Sequence, residues 1–193
     1  MTQEHEHTHE PVDYTTEIRR HREAKDAFFA ADPRSPIPAE ARASFAGLPY
    51  FPVDEHYVLD DLVLEPYTGD EPTSFAIPTS DGQLRPAHRA GEFHFRLAGE
   101  PCRLTGYRMD GGHGDGVFVP FLDATSGQQT YGAGRYLDLE PEEDGSYSLD
   151  FNLAYHPSCV YSEGYSCPIT PRENRLPIAV EAGERLAGDA PEH

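Results

Sequence analysis

Residues 150–174, DFNLAYHPSCVYSEGYSCPITPREN, set Cys159 and Cys167 among His156, Tyr155, Tyr161, Tyr165 and three prolines. As a metal centre the segment would offer Cys159, Cys167 and His156 as ligands, with Glu173 as a fourth. The spacing argues against it, because structural zinc sites pair cysteines about two to four residues apart. Cys159 and Cys167 are therefore poor metal ligands, and no metal or other cofactor is expected. As a disulfide, Cys159–Cys167 would close a short loop and constrain the unfolded chain by about 2–3 kcal/mol. A reducing compartment and an odd count of three cysteines, with Cys102 the third, favour reduced and buried thiols instead. Nucleophilic catalysis needs a thiolate, which aromatic surroundings disfavour.

Residues 118–140, FVPFLDATSGQQTYGAGRYLDLE, form a second dense segment. Gly127, Gly132 and Gly134 permit close backbone approach, while Asp123, Thr125, Ser126, Thr130, Tyr131 and Arg135 are free to converge from the turn. A phosphate-binding loop would need a lysine and a following helix, and both are missing, so nucleotide binding is not expected. Arg135 lies next to Tyr136 among apolar neighbours. A guanidinium there must meet a carboxylate, a set of carbonyls or an anionic ligand. Two readings stay open, an internal pair with Asp123 or Asp150 and the capture of a ligand carboxylate.

These residues need elements to position them. Asp13 is a helix N-cap, Glu17 sits near the first turn, and Asp32-Pro33 is a stop, so a helix is predicted over about 14–31. Its apolar positions Tyr14, Ile18, Ala24, Phe28 and Phe29 fall loosely on one face and suit a lid or strap. Eight short segments then read as strands: YVLDDLVLEP, TSFAIPT, GEFHFRLAG, CRLTGYRM, GVFVPFLD, RYLDLEP, SYSLDFNLAY and NRLPIAVEAG. Asp144-Gly145 marks a hairpin turn between the sixth and seventh. In GEFHFRLAG the alternation puts Phe93, Phe95 and Leu97 on one face and Glu92, His94 and Arg96 on the other. Close turns without intervening helices predict a mainly β fold, a single antiparallel barrel or sandwich domain over 13–186 with one N-terminal helix. Residues 1–12, with His5, His7 and His9, and residues 187–193 read as disordered tails.

The formal net charge is −19, and Lys25 is the only lysine. Such a surface repels phosphate backbones and acidic membranes, so neither nucleic acid nor membrane is an expected partner. Without an apolar span or a signal-peptide pattern, a soluble, cytoplasmic protein is expected. The acid surplus also suits a salty, halophilic cytoplasm, where screening removes self-repulsion.

FAGLPYFP at 45–52, PFLDATSGQQTYGAGRYLDLE at 120–140 and DFNLAYHPSCVYSEGYSCPITPRENRLPIAVEAGE at 150–184 resemble the prokaryotic domain-of-unknown-function family 1684. The likeness spans residues 45–185 plus the preceding helix. It implies that Asp123, Thr125, Thr130, Tyr131, Gly134, Arg135, Tyr136, Asp150, Asn152, Tyr155, Cys159, Cys167, Pro168, Pro171, Asn174 and Glu184 belong to the family's pattern. His156 departs from it, since asparagine is common there.

The favoured reading is a barrel cavity that binds a small polar or anionic molecule through Asp123, Thr125, Thr130, Tyr131, Arg135, Tyr136, Asn152, Tyr155 and Asn174. The first alternative is a small-molecule hydrolase or isomerase with Asp123 or Asp150 as general base. The second is a structural or interaction module in which the same groups tie loops together.

Overall fold

The computed structural model describes residues 13–110 and 115–188. The expectations for residues 1–12, including His5, His7 and His9, and for 189–193 lie outside the described residues. Helix α1 runs Tyr14–Ala31 as its signals require. Asp13 accepts from the Thr16 amide at 3.3 Å and the Thr16 hydroxyl at 2.5 Å, and the chain turns extended at Asp32. Only Ile18 and Phe29 of α1 are buried, and Ala24 faces solvent rather than the body. The helix docks largely through polar groups. The Tyr14 hydroxyl donates to Asp150 at 2.7 Å, Arg22 Nη1 donates to the Phe51 carbonyl at 2.9 Å, and the Leu48 amide donates to Asp26 at 2.9 Å.

Among the described residues seven antiparallel strands follow: β1 (Val58–Leu62), β2 (Ser74–Pro78), β3 (Leu84–Leu97), β4 (Glu100–Met109), β5 (Val117–Phe121), β6 (Arg135–Leu139) and β7 (Tyr147–Asp150). They form a five-stranded sheet in the order β2-β3-β4-β5-β6 and a two-stranded sheet, β1-β7. The fold is mainly β with one helix, as expected. The larger ladder ends at β2 and β6, so the described strands do not close into a barrel. A two-residue turn joins β3 to β4, with Ala98 and Gly99 both at positive φ (52° and 83°), the conformation that matches strand twist in tight hairpins.

Phe93, Phe95 and Leu97 face a core shared with Leu104, Val119 and Leu137 of the large sheet and Leu149 of the small one. On the opposite face His94 and Arg96 are exposed, but Glu92 is fully buried. The reason is a crossing segment. Glu65 exchanges both main-chain hydrogen bonds with Glu92 (2.8 and 2.9 Å), and the Thr68 amide and hydroxyl donate to the Glu92 carboxylate at 3.2 and 3.0 Å.

Two strand expectations are corrected. The Asp144-Gly145 turn forms, with Gly145 N donating to the Glu142 carbonyl at 3.0 Å, yet its flanks separate: β6 joins the large sheet and β7 pairs with β1. NRLPIAVEAG is not a strand. Pro177 lacks an amide, and residues 174–178 instead run alongside 122–124, with the Leu122 amide on the Asn174 carbonyl and the Ala124 amide on the Ile178 carbonyl, both at 2.9 Å.

Asn174 itself was expected to bind a ligand, and the structure places it in the sheet. Strands β4 and β5 share one register position, Tyr107↔Phe118. The Asn174 amide bridges the gap: Oδ1 accepts from the Thr105 amide at 2.8 Å, and Nδ2 donates to the carbonyls of Thr105 (2.8 Å) and Pro120 (2.7 Å). Truncation leaves three buried backbone groups without partners. Asn174→Ala is expected to cost about 3 kcal/mol, read as a lower urea midpoint with unchanged slope. A loss below about 1 kcal/mol would contradict the bridging role.

Candidate functional site

Strand β6 opens with Arg135, 1% exposed, at the centre of the predicted cluster. Its Nη2 donates to Asp123 Oδ2 at 2.9 Å and to the Val180 carbonyl at 2.8 Å. Its Nη1 donates to the Glu184 carbonyl at 3.1 Å and to the Ala182 carbonyl. The rings of Phe51 and Phe121 lie 5.8 and 5.2 Å from the guanidinium. Burial pulls the Arg135 pKa down, and Asp123 opposes that pull. Of the two sequence readings, the internal pair with Asp123 is the one formed, and both terminal nitrogens are engaged.

Asp123 is engaged as fully. Oδ2 also accepts from the Val180 amide at 2.9 Å. Oδ1 accepts from the Thr125 amide and hydroxyl at 3.0 and 2.6 Å and from the Ser126 hydroxyl at 3.2 Å. The Thr125 hydroxyl lies 2.9 Å from that of Thr130. Asp123, Thr125, Thr130 and Arg135 thus form one buried network. Two glycines let the backbone close around it. A Cβ on Gly134 (φ +102°) would lie 2.5 Å from the Phe121 carbonyl oxygen, and one on Gly183 (φ +76°) would lie 2.5 Å from that of Ala154.

The other predicted residues fall into separate groups. Asp150 accepts from the Tyr14 hydroxyl at 2.7 Å and from the Asn152 amide at 2.8 Å. Asn152 clasps Asp54, accepting its amide at 3.0 Å and donating to its carbonyl at 2.8 Å. Tyr155 donates to Asp138 at 2.5 Å, and Tyr136 donates to the Pro168 carbonyl. Asp123 and Asp150 are both buried, and their carboxylate oxygens are engaged by protein donors, an arrangement that does not favour the general-base role.

Cys159 and Cys167 are free thiols, with the Cys159 amide 3.3 Å from Cys167 Sγ. Burial pushes the Cys167 pKa up. Among the described residues no group of three or more His, Cys, Asp or Glu is arranged to hold a metal ion. Glu173, the fourth ligand considered, is taken by Arg89 at 2.7 Å and by the Tyr107 hydroxyl at 2.9 Å.

Beside the buried network lies an open cleft of about 360 Å³. Phe51, Pro52 and Tyr57 give it an apolar surface, and Asp54, Gln129, Glu181 and Arg185 bring polar groups. Its walls are stitched to the stretch whose carbonyls Arg135 holds. The Phe51 amide donates to the Gly183 carbonyl at 2.9 Å, the Leu186 amide to the Gln129 carbonyl at 2.8 Å, and the Arg185 amide to the Pro49 carbonyl at 3.0 Å. Arg135 and Asp123 position this cleft from behind. Sequence reasoning found the clamp and missed the lining, although the alternation of exposed Glu181 and Arg185 with buried Val180, Ala182 and Glu184 was a usable signal.

Residues 43–185 match the model of a family described as "Protein of unknown function (DUF1684)". The chain belongs to this family. The resemblance on residues 45–52, 120–140 and 150–184 is thereby established, and α1 lies before the matched region. Curated proteins give no match. Among solved structures, the solution NMR structure of an uncharacterized protein from Haloarcula marismortui is 40% identical, covers 89% of this chain and 93% of that one, and superposes with a TM-score of 0.64. No helix among the described residues is long and apolar enough to cross a membrane.

His156, the departure from the pattern, is buried beside the clamp. Its Nε2 accepts from the Tyr131 amide at 3.2 Å. Burial, reinforced by Arg135 and Lys25, lowers its pKa from 6.5 to about 3. The unfolded chain takes up a proton that the folded one refuses, so stability is full above the unfolded value and falls as pH drops through this window, by up to about 1.4 kcal/mol per pH unit. His156→Asn should flatten that slope in urea titrations between about pH 6 and pH 4. Parallel wild-type and variant curves would show that His156 is protonated in the fold.

Proposed function

We propose that the chain is a cytoplasmic binding protein that takes a small polar or zwitterionic molecule in the cleft of Phe51, Tyr57, Gln129, Glu181 and Arg185. The observation that carries this reading is the cleft's place on the clamp: its aromatic and polar walls are hydrogen-bonded to a segment whose carbonyls Arg135 of the buried charge pair holds. Aromatic surface with a few aimed polar groups is the composition of small-ligand sites, and about 360 Å³ suits a ligand at the small end of their range. The cleft's lining carries one cation, Arg185, and two carboxylates, Asp54 and Glu181, which shifts the choice from a pure anion to a molecule with both charges or neither. The reading invokes no cofactor, nucleic acid or membrane. The strongly acidic exterior suits a salt-rich cytoplasm.

A ligand-free structural module is the second reading, favoured by the complete engagement of Arg135 and Asp123 inside the protein. In the hydrolase or isomerase reading the candidate bases Asp123 and Asp150 lie outside the cleft and are engaged by internal donors.

Native mass spectrometry of freshly purified protein, followed by two-dimensional amide NMR with a set of small amino acids and sugars, separates the two. A retained adduct, or saturable shifts confined to residues 51–57, 129 and 181–185, is expected. Arg185→Gln and Tyr57→Ala should weaken the effect about tenfold or more while leaving the fold intact. A protein with no adduct and no localised shifts is the structural module.

A further inference from the structure

A second constellation lies under α1. Lys25, the only lysine of the chain, places Nζ 2.6 Å from Glu184 Oε1. The ammonium sits 4.7 Å from the centre of the Tyr155 ring and 5.6 Å from that of Phe29. Glu184 is 1% exposed. Its Oε2 accepts from the His156 amide at 2.7 Å and from the Tyr161 hydroxyl at 3.0 Å. Its buried Oε1 has the Lys25 ammonium as its partner among the described residues. A desolvated carboxylate beside an aromatic face is the arrangement that recognises ammonium groups, through charge and through the ring's quadrupole.

The ownership of the parts is uneven. Glu184, Tyr155, Tyr161 and His156 all belong to the region that the family model matches, 43–185, and each is fixed within it. Tyr155 is anchored on Asp138 and its ring meets Tyr136 edge-on at 5.7 Å. The Glu184 amide donates to the Ala154 carbonyl at 2.8 Å. The occupant comes from α1, a helix that buries two side chains and otherwise holds by polar contacts. The body therefore builds a receptor, and a side chain from the helix that precedes the matched region fills it.

We propose that Glu184, Tyr155 and Tyr161 form a recognition site for a primary ammonium group, filled in cis by Lys25 and open to a small primary amine when α1 is displaced. The site is distinct from the cleft at Arg185 and does not depend on it. Removing the lysine side chain while keeping the receptor leaves room for the same chemistry supplied from solution.

The test uses the full chain and n-butylammonium chloride, against sodium chloride at matched ionic strength. Lys25→Ala should show a saturable rise in Tm with the amine beyond that with sodium, because binding to the folded state alone stabilises it. Adding Glu184→Gln should abolish the response, and adding Tyr155→Leu, which keeps the carboxylate, should weaken it. In the wild-type protein the Lys25 Cε protons should resonate at a ring-shifted position. They should move towards the free value as the amine competes, at higher concentration than Lys25→Ala requires, since an intramolecular occupant acts at high effective concentration. A Lys25→Ala protein that responds equally to both salts overturns the proposal. So does a wild-type Lys25 signal that the amine leaves in place, which would make the contact a latch only. The wild-type arm decides the matter if the variant fails to fold.

Discussion

A guanidinium almost wholly removed from water is the constraint around which this protein is organised. Desolvating such a charge costs several kcal/mol, and the cost is offset only when a carboxylate and well-placed acceptors surround it. Arg135 has Asp123 and the carbonyls of Val180, Ala182 and Glu184. The relation is reciprocal. Those carbonyls belong to a stretch outside the two sheets, joined to residues 49–51 by an isolated antiparallel bridge at Tyr50 and Glu184, and unpaired buried carbonyls are themselves costly. One side chain thus satisfies the Val180, Ala182 and Glu184 carbonyls, while the Gly183 carbonyl is met by the Phe51 amide. Phe51, Gln129 and Arg185 hang on that stretch, so a buried ion pair sets the shape of an exposed cleft.

The same economy of positive charge recurs elsewhere. In a chain with 15 basic and 34 acidic residues, several bases are directed inward to hold irregular backbone. Arg22 reaches the carbonyl of Phe51, Lys25 the carboxylate of Glu184, and Arg89 the carboxylate of Glu173. The acid surplus stays outside, where salt screens it. Exposed ion pairs contribute little to stability, whereas these joints are shielded and join segments remote in sequence. Asn174 plays the equivalent neutral part between β4 and β5.

What could be read from the sequence was local. Asp13 and Asp32-Pro33 bound α1 because capping and the stop are decided within a few residues. Alternation placed Phe93, Phe95 and Leu97 correctly, since period-two burial is a property of the strand itself. Partnership was not legible. Asp144-Gly145 announces a turn and cannot say that β6 and β7 enter different sheets. Glu92 reads as exposed until a segment from residues 65–68 crosses over it. Arg135 was recognisable as a charge in need of partners, but three of its acceptors are backbone carbonyls, which residue types do not reveal. Gln129, Tyr57 and Arg185 are unremarkable in sequence and become a cleft only through tertiary placement. Lys25 and Glu184 were each visible, one as a lone lysine and one in the family pattern, and nothing local joins them.

The most direct test of the clamp is residue-resolved amide hydrogen exchange in the wild type and in Arg135→Met, with Arg135→Lys as the milder substitute. If Arg135 holds the 180–186 stretch, the Val180, Glu184 and Leu186 amides lose protection selectively, by about a hundredfold or more. The amides of the β3–β4 ladder stay close to wild type. Retained protection at 180–186, or an equal loss across β3, β4 and that stretch, would contradict the account.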